Sequence, residues 1–274
     1  MLEKSSTAKR ILHLSDLHFG RINEPALQAL RRTVLEQQRG LDLIIVTGDW
    51  TQRARVSQFA EAIDFVKTLS CPVLSVPGNH DVPLYNFGRR FFTPYSRYKK
   101  LAKLTQDEFH DDLISVVGLS TVNPFRAAAG VVREVDVTRA SIAFAEGARN
   151  ALRILACHHP VFDPRKEEWI RPEVRARRLM DLAPDLILSG HSHLQWVQPV
   201  EYAGQKVLHI SAGTSVSSRL REEVNSFHIL ELRRDNSLNP PFAEDRGIEL
   251  MVKTYDLRGE GFLERGLSTE IFKF

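Results

Sequence analysis

The chain has only two cysteines, Cys71 and Cys157, in 274 residues. That is too few for a disulfide-built scaffold or a four-cysteine zinc site. Each lies at the edge of an apolar strand-like run, which suits buried thiols in a reducing cytoplasm. No segment approaches the ~18 uninterrupted apolar residues of a membrane-spanning helix. The first ten residues, Met1 to Arg10, lack the apolar stretch of a secretory signal. These absences predict a soluble, cytoplasmic protein. There is also little excess charge: 37 basic against 34 acidic residues give a net +3. With no long basic stripe, no nucleic-acid partner is expected, and the mild excess suits a small anionic substrate. Internal repeats, low-complexity tracts and linkers are missing as well. One domain over residues 1–274 is therefore the simplest organisation.

What is present is an alternation of strands and helices. Residues 10–15, 43–47 and 72–76 are short apolar runs, as buried parallel strands should be. Between them, residues 24–38 and 56–68 have helical spacing, with Phe59, Ile63, Val66 and Leu69 recurring at three- and four-residue steps. Residues 82–111 break the pattern with aromatic and basic side chains, including Tyr85, Arg89, Arg90, Phe91, Phe92, Tyr95 and Arg97. They read as a partly helical cap inserted over the sheet edge. Strands follow at 113–120, 152–157 and 186–189, with a helix over 172–182. The last third is mostly β, with a hairpin at 195–210 and strands at 224–232 and 248–257. The whole predicts an α/β fold of two sheets packed face to face, with helices outside.

The predicted strands end in short polar islands. They are Asp16-Leu17-His18, Gly48-Asp49, Gly78-Asn79-His80-Asp81, His158-His159-Pro160 and Gly190-His191-Ser192-His193. Ligands of open α/β sheets gather beyond the carboxyl ends of strands, so the islands should meet at one edge. An Asp/Asn/His set without thiolate suits first-row divalent metals. Two such ions stand about 3.5–4 Å apart when they act together, and a carboxylate usually spans them. Asp49, a lone acid at a tight turn, is the natural bridge. Asp16 and His18, two apart, would reach one metal from an extended segment. His191 and His193 share that spacing. Asn79 offers a neutral amide oxygen. His80, beside a ligand, suits a general acid or a cation facing a developing phosphorane. Asp81 is placed to accept a hydrogen bond from an imidazole and fix its tautomer.

As an ordered set these islands resemble the calcineurin-like metallophosphoesterases, over roughly residues 10–215. The resemblance implies a four-layer αββα sandwich of two mixed β-sheets flanked by helices. It implies two divalent metal ions, Mn, Fe or Zn. One would be held by Asp16, His18, Asp49 and His193, the other by Asp49, Asn79, His158 and His191, with His80 catalytic. The implied activity is hydrolysis of a phosphate diester of the 3′,5′-cyclic nucleotide kind, by hydroxide held between the metals. A UDP-2,3-diacylglucosamine pyrophosphatase-like activity on lipid precursors is the alternative, as is a broad phosphomonoesterase. Substrate selection falls outside the islands. Arg89 and Arg90 of the insertion, Arg219 and Arg221 after the hairpin, and His159 are the candidate contacts. The insertion reads as a substrate lid, a peripheral membrane contact or plain packing. His13, His110, His209 and His228 read as structural. Residues 240–274 offer an edge for homo-oligomers.

Overall fold

The computed structural model describes residues 8–37, 40–126, 130–163, 165–166, 168–169, 173–221, 223–234, 246–265 and 270–274. Its first half runs β1 (Ala8–Leu14), α1 (Glu24–Gln37), β2 (Leu43–Val46), α2 (Val56–Lys67) and β3 (Val73–Ser75). The three strands are parallel neighbours. Strand alternation sends Leu12 and Leu14 to one face and Ile11 to the other. On the first face α1 buries Ala26, Leu27, Leu30 and Val34, the stripe of an amphipathic helix. Helix α2 buries Phe59, Ala62, Phe65 and Val66, while Ile63 and Leu69 only border that core.

The segment 82–111 forms two short helices, α3 (Phe87–Phe92) and α4 (Tyr98–Ala102), then β4 (Glu108–His110). Its last part is not cap: β4 pairs antiparallel with β5 (Ile114–Leu119) and closes one edge of the second sheet. Helix α5 (Glu134–Glu146) follows, and the sequence reading has no counterpart for it. Next come β6 (Leu152–Cys157), the two-residue strands β7 (Phe162–Asp163) and β8 (Glu168–Trp169), α6 (Glu173–Met180) and β9 (Leu186–Ser189). The hairpin is β10 (Trp196–Tyr202) with β11 (Gln205–Ser211). The chain then returns through β12 (Ser226–Arg234), β13 (Ile248–Arg258), β14 (Gly261–Glu264) and β15 (Glu270–Lys273).

Apart from β7 and β8, which pair with each other, these strands build two mixed sheets. One has the order β14-β13-β12-β1-β2-β3, with β15 also on β13; the other is β10-β11-β9-β6-β5-β4. Ile11, Ile45, Ile154, Leu188, Leu230 and Leu250 meet between them. Outside the second sheet, Leu155, Cys157 and Ile187 pack with Ala140 and Phe144 of α5 and Leu179 of α6. The layers are therefore helix, sheet, sheet, helix, as the sequence implies. Cys71 and Cys157 form no disulfide. Among the described residues, no helix is long and apolar enough to cross a membrane.

Candidate metal centre

The loops after β1 and β2 are joined through their backbones, and so are those after β6 and β9. Asp16 N donates to Gly48 O at 3.1 Å, His18 N to Asp49 O at 2.9 Å, and Gly190 N to His158 O at 3.0 Å. Asp16, His18, Asp49, His191 and His193 all have left-handed backbones, with φ between 51° and 67°. Non-glycine residues resist that region, at a cost of about 1–3 kcal/mol each, and it concentrates at functional sites. This corrects the extended segment predicted for Asp16 and His18: a left-handed residue at each position turns both side chains inward. Gly48, at φ 93°, turns the chain so closely that a Cβ there would sit 2.7 Å from His158 Nδ1. A Cβ on Gly190 would run into Ser15 Oγ.

Two groups of donor atoms result. In the first, His193 Nε2 lies 3.2 Å from Asp16 Oδ1 and 3.2 Å from His18 Nε2. His18 Nε2 is 3.8 Å from Asp49 Oδ2. In the second, Asn79 Oδ1 lies 3.1 Å from His158 Nε2 and 3.0 Å from His191 Nδ1. His158 Nε2 is 3.5 Å from Asp49 Oδ1. Asp49 thus presents one oxygen to each group. Donors about 2.1 Å from one ion stand about 3.0–3.5 Å from each other, so both groups have the spacing of a coordination shell.

The protonation pattern provides a second test of fit. His158 Nδ1 can only donate to Thr47 O (2.7 Å), and His193 Nδ1 only to Arg219 O (2.9 Å). Each neutral ring therefore turns an Nε2 lone pair towards the other donors. His158 Nε2 then faces two oxygens, and Asp16 Oδ1 is buried with no hydrogen-bond donor among the described residues. Lone pairs facing lone pairs in a dry site call for a cation. The titration behaviour agrees. Burial alone would lower His158, but Asp49, Asp16 and the Thr47 carbonyl outweigh it and push the ring up to about 9. In this arrangement a proton takes the place a metal would hold. Burial alone would raise Asp49, yet His158, His18 and His80 hold it well below the usual carboxylate range.

His80 stands beside this centre, its ring centroid 5.0 Å from that of His18. Its backbone N donates to Asp49 Oδ1 at 2.8 Å. Its Nδ1 donates to the Gln52 carbonyl at 2.7 Å, leaving Nε2 to accept from Arg219 Nη1 at 3.0 Å. Burial, then His18 and Arg219, keep the imidazole below its ordinary value. The tautomer is therefore set by Gln52, a residue the sequence reading passes over although it lies three places after Asp49. Asp81 does not take the part expected of it. Its carboxylate accepts from the backbone N–H groups of Trp50, Thr51 and Gly78, at 3.2, 2.9 and 2.9 Å, and clamps two loops together.

The other candidates divide. Arg219 reaches His80. Arg221 is exposed, though close enough for its charge to oppose protonation of His193. Arg90 is only 5% exposed and its Nη1 donates to Pro83 O at 3.0 Å, so it is a brace of the α3 turn rather than a hand for phosphate. Arg89 is exposed on the same helix. His159 is buried, with Nδ1 2.8 Å from Thr121 Oγ1 and its ring 4.5 Å from that of His191. It therefore flanks the second donor group.

Known proteins fit this picture. Similar solved structures include a purple acid phosphatase from yellow lupin, Lupinus luteus. It is 12% identical, covering 92% of this chain and 52% of its own, with a TM-score of 0.65. The GAP50 anchor of the Plasmodium inner membrane complex is 15% identical over 97% of this chain and 90% of its own, at 0.57. At these identities the likeness is one of fold. No curated protein matches by sequence. The profile of the calcineurin-like phosphoesterases matches residues 9–195, which span all five islands, and the chain belongs to that family.

Proposed function

We propose that this chain is a metal-dependent phosphodiesterase acting on a small anionic phosphoester. The observation that carries the reading is the pair of donor groups sharing Asp49, with His80 and Arg219 hydrogen-bonded to each other alongside. Asp16, His18, Asp49 and His193 would hold one divalent ion, and Asp49, Asn79, His158 and His191 the other. Such a pair supplies Lewis acidity and lowers the pKa of water at neutral pH. The chain's own residues do the rest. Neutral Asn79 keeps the charge of the cage low. Arg219 gives a permanent positive charge with N–H donors for phosphoryl oxygens as charge builds. With Nδ1–H committed to Gln52, His80 can exchange a proton with the leaving oxygen only through Nε2. In the overall reaction water adds to phosphorus, one P–O ester bond breaks, and the departing oxygen takes up a proton.

Cyclic 3′,5′-nucleotides are the first substrates to assay. With Mn²⁺, bis(p-nitrophenyl) phosphate should be turned over, and Asp49→Ala should lower kcat at least about a thousandfold. Full activity after metal stripping would overturn the reading.

A second reading has its own support. Tyr85, Phe87, Phe92 and Phe125 are 67–87% exposed, and Phe91 stacks on both Phe87 and Phe125. An aromatic patch of this kind suits an acyl chain or a membrane surface. It favours a nucleotide-lipid pyrophosphate of the UDP-2,3-diacylglucosamine kind. Sedimentation with anionic vesicles separates the two readings.

A further inference from the structure

Behind His80 lies a second polar space that the metal centre does not use. It is a cavity of about 410 Å³ lined by Gly20, Arg21, Gln52, Arg53, Arg55, Gln58 and Arg219. Among the described residues, four of the seven that line it are arginines and none is a carboxylate. Clustered guanidinium groups repel one another unless an anion joins them.

The rim is built, not merely left over. Gln58 is 6% exposed, and its Oε1 accepts from Arg53 N at 2.9 Å and Arg55 N at 3.3 Å. Ala54, between these arginines, has a left-handed φ of 49°. Its N–H donates to Thr51 Oγ1, and its carbonyl accepts from Arg97 Nη1 at 2.6 Å. Gly20 allows the Gln58 side chain to pass where a Cβ would collide with it. Across the cavity, Ser217 and Ser218 hydroxyls donate to Arg21 O, both at 3.0 Å. Gln52 is 7% exposed, and its Oε1 has no hydrogen-bond partner among the described residues. Strained backbone held by this many contacts is a mark of a functional site.

Its place decides what the anion is. Arg219 belongs to both spaces, since it lines the cavity and bonds His80 Nε2. One imidazole separates the cavity from His18. Through Arg219 and then His80, the cavity adjoins the place where phosphorus would be attacked.

Resting on the phosphodiesterase reading, we infer that this cavity receives a second phosphate of the same substrate. The substrate class is then a phosphodiester in which one esterified alcohol carries a further phosphate that is not hydrolysed. Planar guanidinium forks match the oxygens of such a dianion in bidentate fashion.

A matched pair of substrates tests this: the p-nitrophenyl ester of thymidine 5′-phosphate, with and without a 3′-phosphate. The wild type with Mn²⁺ should prefer the 3′-phosphorylated ester by about tenfold or more in kcat/KM. Arg21→Ala/Arg55→Ala, and separately Arg53→Gln, should erase that preference and leave the plain ester within about twofold. A wild type without preference, or equal losses on both esters, overturns the inference. If neither ester is hydrolysed, the diesterase reading fails on its own. Calorimetry then decides the subsite by comparing thymidine 3′,5′-bisphosphate with thymidine 5′-phosphate. Tighter binding of the bisphosphate that disappears in the double variant supports the cavity; equal binding in the wild type rejects it.

Discussion

His18, His158 and His193 at the strand ends, and His13, His209 and His228 within the sheets, are all histidines taken out of water. Their surroundings differ in one respect. In the sheets each ring has its own uncharged partner. His13 Nε2 meets Thr47 Oγ1 at 3.0 Å, and His209 Nε2 meets Ser189 Oγ at 2.9 Å. His228 bonds Thr254 Oγ1 and Ser211 O, both at 3.0 Å. At the strand ends the Nε2 atoms point at carboxylates, an amide oxygen and each other. Hydroxyls can donate or accept as the ring requires, while carboxylates can only accept. The difference teaches that burial does not mark a ligand. Convergence of acceptors with no donor to separate them does.

The sharpest way to break this comparison is metal content. Wild-type protein, gently purified and reconstituted, should carry about two metals per chain, and His158→Ala or His191→Ala should lose metal and nearly all turnover. His228→Gln should keep both. Loss of metal from His228→Gln, or retention in the strand-end variants, would erase the distinction. A smaller effect separates ligands from their neighbour. His80→Asn should reduce kcat by about a hundredfold or more while leaving metal content intact, as removal of a proton-transfer group does. Metal loss in that variant would place His80 among the ligands.

The smallest effect concerns stability and comes from the sheet histidines. Burial pushes His209 down to about 3 and His228 down to about 4, and holds His13 well below its ordinary value. Unfolded, all three take up protons near pH 6.5, whereas the folded rings do not. Their contribution is complete above about pH 6.5 and is lost as pH falls from there towards the folded values. His209 and His228 should each cost about 2 kcal/mol by pH 5, and His13 adds to the loss in the same direction. Urea midpoints at pH 7 and pH 5 measure the loss, and His228→Gln should reduce the difference between them. An unchanged difference would show that the ring already titrates in the folded state.

Much of this was legible in the sequence because few residue types bind metals and the islands follow apolar strand runs. Strand and helix positions could be read where one face is continuously buried, as in β2 and α2. Helix α5 escaped because its buried stripe is only Ala140, Ala143 and Phe144, behind the β-branched Val135, Val137 and Thr138. Two-residue spacing suggested extended backbone at Asp16 and His18, since nothing in composition reveals a left-handed non-glycine residue. Arg90 was misread because a guanidinium that braces a carbonyl looks the same in sequence as one that awaits phosphate. The partnership of Arg219 with His80 joins residues 139 apart and is set by tertiary structure alone.

The topology of the first sheet also sets a timetable. Strand β1 leads into the first island, yet its antiparallel neighbour is β12, with Ile11 opposite Leu230 and His13 opposite His228. More than two hundred residues separate the two strands, and Ser215 Oγ, in the same late segment, accepts from Ser15 N. At about 5–20 residues per second, a ribosome needs about 10–40 s to deliver β12 after β1 has emerged. During that interval one edge of β1 has no ladder partner and invites the wrong strand. The nascent chain therefore holds Asp16 and His18 early but completes their setting only once β12 has emerged. Truncations that stop soon after residue 195, although they keep every island, should be expected in the insoluble fraction.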